Sequence, residues 1–510
     1  MRMSRRRRFL QALAALGVSH SVPACAQLEK PRFAQDPFQL GVASGYPRPD
    51  GMVLWTRLLG PLAPAPIGVR WEIAADEAMQ RVVASGSAEA HPDWAHAVHV
   101  EAHGLEPDRW YWYRFRAGDA ASPVGRTRTS PAPDAAVSRL RFAFASCQQY
   151  EQGWFTAHRY LAADDLDLVA FLGDYIYESS WGREHVRKHD AGEPYTLDEY
   201  RARYALYTRD PDLQRSHLAC PWIATWDDHE VDNDYANDVP EDGLPREQFL
   251  ARRAAAYRAF YEHMPLPASM RPGASEMRIY TVQPWGRLAS FFVLDDRQYR
   301  APQVCPSRKG GSTVLDAKRC PALADPSRTM LGAAQEAWLD RAFGESEAGW
   351  NIVAQQTLMA RLDLNRGGGL RVWTDGWDGY PAARRRLLES ITARRLANPV
   401  VIGGDVHMNW VADLKPDYDD SKSPVVASEF CGTSITSQGE AQERVNALLP
   451  QNPHMKYARS DRRGYVRVSI GGGRLTADLV GVETVKKPGA RAEVLARFAV
   501  EDGRPGPQRL

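Results

Sequence analysis

Six short apolar runs in this sequence end in residues that can bind cations or move protons. Leu140–Ser146 stops at Cys147-Gln148-Gln149, and Leu168–Leu172 stops at Gly173-Asp174, with Tyr177 and Glu178 just beyond. Pro221–Trp226 leads into Asp227-Asp228-His229-Glu230, and Leu288–Leu294 into Asp295-Asp296-Arg297. Asn351–Ala354 ends at Gln355-Gln356, and Pro399–Ile402 at Gly403-Gly404-Asp405-Val406-His407. A lone Gly-Asp is more simply a helix cap, and a lone acidic turn is more simply solvated. Together, a thiol, a phenol, imidazoles and carboxylates brought to one place are costly to bury unless they hold metal.

The elements that must position these groups follow from the same runs. Leu168–Leu172 (LVAFL) has no period, which fits a strand buried on both faces, although periodicity alone also admits a buried helical turn. A carboxylate just past such a strand lies where open α/β sheets place their chemistry. Helical patterns over Gly153–Ala163, Gln335–Phe343 and Arg384–Arg395 alternate with the runs, so an α/β layered domain is expected over residues 138–500. Residues 37–132 read as all-β instead, with VLWTRL, VRWEIAAD and RWYWYRFRAG separated by turn residues. A small β-sandwich of the Ig or fibronectin III class is expected there, joined through Ser130-Pro131-Ala132-Pro133-Asp134. His91, His96, His99 and His103 in this region match no compact metal motif and read as packed or exposed residues.

Of 510 residues, 64 are Lys or Arg and 63 Asp or Glu, so no global field gathers nucleic acid or an acidic partner. Residues 1–26 read as an export signal: Ser4-Arg5-Arg6-Arg7-Arg8-Phe9-Leu10, a modest apolar stretch, then Ala24-Cys25-Ala26. Consecutive arginines favour the twin-arginine (Tat) route over a Sec signal. The apolar stretch is shorter than the roughly 20 residues a spanning helix needs. Pro23 makes a poor lipobox, so cleavage after Ala26 is preferred to lipidation at Cys25. An oxidising compartment then makes Cys305–Cys320, flanking a polar loop, the natural disulfide guess, with Cys147 the candidate free thiol.

The ordered motifs FASCQ (Phe144–Gln148), GDYIYE (Gly173–Glu178), WDDHE (Trp226–Glu230), DDRQYR (Asp295–Arg300) and GDVH (Gly404–His407) resemble those of the PhoD-type alkaline phosphatase and phosphodiesterase family. That family is a branch of the calcineurin-like metallophosphoesterases. The resemblance covers nearly the whole chain and implies a metallophosphoesterase fold, a layered β-sandwich flanked by helices. It implies that Asp174 bridges two metal positions, with Cys147, Tyr177 and His407 at ferric iron. Asp228 and Asp405 stand where the wider superfamily has Asn and His, and their hard oxygens favour calcium at the second position. Asp227, Asp232, Asn233 and Asp234 are further candidates for calcium.

The implied reaction is hydrolysis of phosphate mono- and diesters. A highly charged cation lowers the pKa of bound water, and the resulting hydroxide attacks in line. His229 is the candidate residue beside the leaving group, with Asp174 completing the catalytic pair. A phosphate-clasping arginine is expected, with Arg183 and Arg297 both open. Trp373–Tyr380, rich in Gly and aromatics, is a candidate cleft lining. The expected partners are phosphate esters, including lipid or nucleotide-derived ones, and the Tat translocon during export. No stable nucleic-acid or membrane partner is expected, and the location is periplasmic or secreted. Two alternatives stand beside this: a phospholipase D-like phosphodiesterase on lipid head groups, and a non-catalytic periplasmic binding protein. Every motif position holds a competent donor, which weighs against the second.

Overall fold

The computed structural model describes residues 32–307, 310–365 and 368–510. The export signal, with Cys25 and the Ala26 cleavage site, lies outside the described residues. Strands Arg139–Ala145, Leu168–Leu172 and Trp222–Thr225 run parallel, side by side, in a ten-stranded mixed sheet. Ala289–Val293, Trp350–Ala354, Pro399–Gly403 and Ala427–Cys431 run parallel in a second sheet of seven strands. The two sheets share one core, in which Phe142 of the first meets Phe291 of the second edge-on at 5.0 Å between ring centres.

Helices cover the outer faces. Ile352, Val400 and Ile402 point into the shared core, whereas Phe292, Val353 and Val401 point outward against helices Gly332–Glu345 and Pro381–Ala393. Behind the first sheet, His158 of helix Thr156–Ala163 and His217 of helix Pro211–Ala219 stack on Trp222. This double cover explains the aperiodic apolar runs, because a side chain on either face of such a strand is buried.

The N-terminal region is all-β but divided between two sheets. Val42–Arg48, Gly51–Arg57 and Ala97–Ala102 extend the ten-stranded sheet, the first pairing in parallel with Trp222–Thr225. Ile67–Ala74, Val82–Ala90, Trp110–Ala117, Ala120–Ala121 and Gly125–Arg128 form a separate layer. Met52, Leu54, Val69, Ile73, Tyr113 and Phe115 fill the space between. Cys305 and Cys320 form the expected disulfide, and Cys147, Cys220 and Cys431 are free and buried. Among the described residues no helix is long and apolar enough to cross a membrane.

Candidate metal centre

All six anticipated strand ends come to one place, three from each sheet. Their loops are stitched by backbone and amide hydrogen bonds. Cys147 N–H donates to the Gly173 carbonyl at 3.1 Å, and Gly404 N–H to that of Gln356 at 2.7 Å. Gln356 Nε2 spans the sheets, reaching Thr225 Oγ1 and the Leu294 carbonyl, both at 2.8 Å. The approach is close enough to require glycine twice. A Cβ on Gly173 (φ 104°) would lie 2.5 Å from Asp227 Cβ, and one on Gly404 only 2.1 Å from Ser146 Oγ. Cys147, Asp174, Asp405 and His407 themselves hold φ values of 60°, 55°, 64° and 56°. Non-glycine residues in that region cost on the order of 1–3 kcal/mol each and cluster at functional sites.

One half of the centre gathers sulfur, phenol and imidazole around a carboxylate. Ligand atoms of Cys147, Asp174 and His407 all lie within 4.8 Å of one another. Tyr177 joins them: its hydroxyl donates to Asp174 Oδ2 at 2.8 Å and sits 3.1 Å from His407 Nε2. His407 Nδ1 faces the Gln438 carbonyl at 2.9 Å, which fixes the proton there and leaves Nε2 free to ligate. Ser437 Oγ hydrogen-bonds both the Tyr177 hydroxyl and the Cys147 carbonyl. Arg463 ties this loop to the His407 carbonyl at 2.8 Å.

The other half is carboxylate. Asp174 also groups with Asp228 and His229, Asp227 and Asp228 with Asp405, and Asp228 with Asp234 and Asp375. Asp174 and Asp228 are thus shared between neighbouring clusters. Arg297 is wholly buried among these acids, paired with Asp227, 2.5 Å from Asp375, and 3.6 and 3.9 Å from Asp228 and Asp405. Glu230 aligns the two central strand ends by accepting the N–H groups of Asp174, Tyr175 and Asp227 at 2.6–3.0 Å.

Electrostatics distinguish the halves. Burial, reinforced by the Asp174 charge, pushes the Cys147 thiol and the Tyr177 phenol well above their usual values. Burial pushes Asp174 well up too, and holds His407 neutral, down to about 3. In the acidic half burial acts the same way, but Arg297 overcomes it at Asp228, and Arg297 with Arg300 does so at Asp375, so both stay anionic. His229 is a third case. Burial would depress it, yet Glu178, Asp228 and Asp174 raise it well above an ordinary imidazole, and Glu178 holds its Nδ1 at 2.7 Å.

These residues fit cations. Asp174 Oδ1, Asp227 Oδ2 and Asp405 Oδ2 are buried with no hydrogen-bond partner in the protein. Buried carboxylate oxygens are rarely left so, and a cation between them would restore the missing interaction. The donor set, one thiol with phenol, imidazole and several carboxylates, suits a hard or borderline metal on one side and an oxygen-seeking one on the other. The centre opens into a cleft of about 1100 Å³ lined by Glu178, Trp181, His229, Asp405 and His407 among others.

Cys147, Asp174, Tyr177, Asp228, His229, Asp405 and His407 therefore meet. Of the further candidates, Asp227 and Asp234 join them, whereas Asp232 groups with Glu178 and Glu193 and is held by Arg252 at 2.9 Å. Asn233 is engaged by Glu241 at 2.7 Å. Arg297 is sealed in the acid network rather than facing the cleft, and exposed Arg183 contacts Gln438 through its backbone. Neither is placed as a phosphate clasp. Trp373, Gly376, Trp377 and Asp378 line the cleft, while Tyr380 turns to the Ala301 carbonyl. Glu178, Glu230 and Asp375 stand inside or beside quoted motifs, and their roles needed the fold to show them. Ser437, Gln438 and Arg463 had no signal in the sequence.

A sequence model described as PhoD-like phosphatase matches residues 142–479, two-thirds of the chain and all the strand ends above. The chain belongs to the PhoD-like phosphatase family. The N-terminal domain of PhoD-like phosphatases matches residues 24–131. Alkaline phosphatase D of Bacillus subtilis (strain 168) is 43% identical over 528 residues, covering 99% of this chain and 89% of that protein. The solved structure of PhoD superposes with a TM-score of 0.89 at 43% identity, over 94% of this chain and 93% of that one. Membership in the PhoD-like phosphatase family places this chain among phosphoric ester hydrolases.

Proposed function

We propose that this chain is an exported, metal-dependent phosphatase and phosphodiesterase acting on phosphate mono- and diesters. Ferric iron is assigned to Cys147, Asp174, Tyr177 and His407. Calcium is assigned to Asp228 and Asp405 with Asp174 as the bridge, and Asp227, Asp234 and Asp375 are further oxygen donors. The observation that carries the reading is the set of partnerless buried carboxylate oxygens where six strand ends meet, three of those ends carrying strained backbone. Bound cations there would activate water and offset charge on the phosphoryl oxygens.

The remaining work falls to the chain. Glu178 anchors His229 through Nδ1, so Nε2 is the nitrogen left to act in the cleft. Raised by its carboxylate neighbours, this imidazole holds a proton at working pH and delivers it to the departing alkoxide. Glu230 and the Ser437 loop keep Asp174 and Tyr177 in register. In the same reading residues 37–132 are an Ig or fibronectin III-like sandwich, residues 138–500 the metallophosphoesterase layers, and residues 1–26 a Tat signal directing the protein to the periplasm or beyond.

The test is metal analysis of protein exported by its own host, with rates on p-nitrophenyl phosphate and bis-p-nitrophenyl phosphate before and after chelation. Iron and calcium are both expected, with turnover lost on chelation and restored by adding calcium. Absence of iron would overturn its assignment, and undiminished turnover after metal removal would overturn the mechanism.

A further inference from the structure

We propose that the cleft carries an apolar subsite beside the metal centre, which takes an apolar organic group of the phosphate ester. The inference rests on the hydrolase reading above and names which esters that centre selects. At about 1100 Å³ the cleft is the size of a site for an organic molecule rather than for a phosphoryl group alone. Its lining joins the metal-facing carboxylates to an apolar wall of Leu362, Leu364, Trp373, Met408, Val445 and Leu448.

This wall is continuous with the core. Leu362, Val406 and Met408 pack on the cluster that the outer helices cover, so that the core comes to the surface inside the cleft. Val406 and Met408 flank His407 directly, placing the wall one residue from a proposed iron ligand. Trp373 is pinned by its Nε1–H to Ser312 Oγ at 3.0 Å, a fixed surface rather than a loose ring. An ester whose phosphorus sits on the cations can therefore lay its organic group against the wall.

Charge narrows the class. Among the described cleft-lining residues Arg444 is the single Lys or Arg, and it is paired with Glu440 at 3.2 Å, whereas Glu193, Asp232, Glu241 and Asp242 face the same space. Polyanions such as nucleic acid or nucleoside triphosphates meet repulsion from these carboxylates. A singly charged phosphodiester bearing an alkyl or aryl group meets one anion-binding point and an apolar wall.

The test uses the full-length, metal-loaded protein with p-nitrophenyl phosphodiesters whose second ester is methyl, butyl or hexyl. In parallel, binding of methyl-, butyl- and hexyl-substituted methylphosphinates, singly charged and without an ester bond to cleave, is followed by tryptophan fluorescence. Affinity is expected to rise, and KM to fall, by up to about fourfold per methylene until the wall is covered. In Leu362→Ser and Leu448→Ser this gradient flattens in both assays, with iron content and the circular dichroism spectrum retained. A wild-type protein with no chain-length dependence in either assay would overturn the subsite. Undiminished dependence in both variants would overturn the wall as its cause. If no ester is cleaved but the phosphinate gradient persists, the hydrolase reading fails and the subsite stands.

Discussion

The two halves of the centre share Asp174 and lie within one cleft, yet they solve the burial of charge in opposite ways. Around Cys147, Tyr177 and His407 the nearby guanidinium, Arg463, is spent on backbone carbonyls rather than on an acid, and burial keeps thiol and phenol protonated. Around Asp228 and Asp375 the Arg297 guanidinium already holds the carboxylates ionised. A cation entering the first half must displace protons from weak acids, which demands high charge and strong Lewis acidity. A cation entering the second finds Asp228 and Asp375 already ionised beside Asp405, Asp227 and Asp234, whose carboxyls burial raises, so fewer protons must leave and a weaker Lewis acid that prefers oxygen suffices. The difference teaches that two cation positions can be told apart by what the protein does to the protons of their candidate ligands, beyond ligand type alone.

The largest expected effect comes from the residue the halves share. Asp174→Asn should lower turnover by about a thousandfold or more while the protein keeps its circular dichroism, because both sides lose an anion at once. Residual turnover within tenfold of wild type would mean that Asp174 does not join them. Next comes Arg297→Met, which leaves Asp227 without its buried cation and Asp375 with Arg300 alone. A loss of about 3–5 kcal/mol in unfolding free energy is expected, most of it recovered by added calcium. An unchanged denaturation midpoint would show that the acidic half needs no internal counter-charge.

Tyr177→Phe tests the opposite half. Iron content should fall and the visible absorption band shift, with turnover down roughly ten- to a hundredfold and calcium content unaltered. Unchanged colour and iron would remove Tyr177 from the ligand set. The smallest effect is expected at the seam between the halves. His229 is raised above the ordinary imidazole value and acts protonated, so kcat should fall as pH rises through its folded pKa. Glu178→Gln removes the charge that sustains it and should move that alkaline limb to lower pH, by about one unit. A stationary limb would mean that His229 is not the proton donor.

Much of the site was readable in one dimension because it is built at strand ends. A short aperiodic apolar run followed by Gly-Asp or Asp-Asp-His is a local pattern, and the runs Leu168–Leu172 and Pro399–Gly403 fall where that pattern places them. The missed residues act through contacts with no local pattern. Glu230 reaches backbone N–H groups on two strands, and Ser437 links Tyr177 to Cys147 across hundreds of residues. The N-terminal strands join the large sheet through main-chain pairing, which leaves no mark on side-chain order.

The sequence alone determined the donor types, their order along the chain and the buried strands that carry them, since these depend on residue chemistry and short-range hydrophobic pattern. Only the tertiary structure decided that the six ends converge from two sheets, that Arg297 is sealed among acids instead of facing substrate, and which face of the cleft is apolar. Those outcomes depend on which distant groups exclude water from one another, and burial is what sets the charge each group can bear.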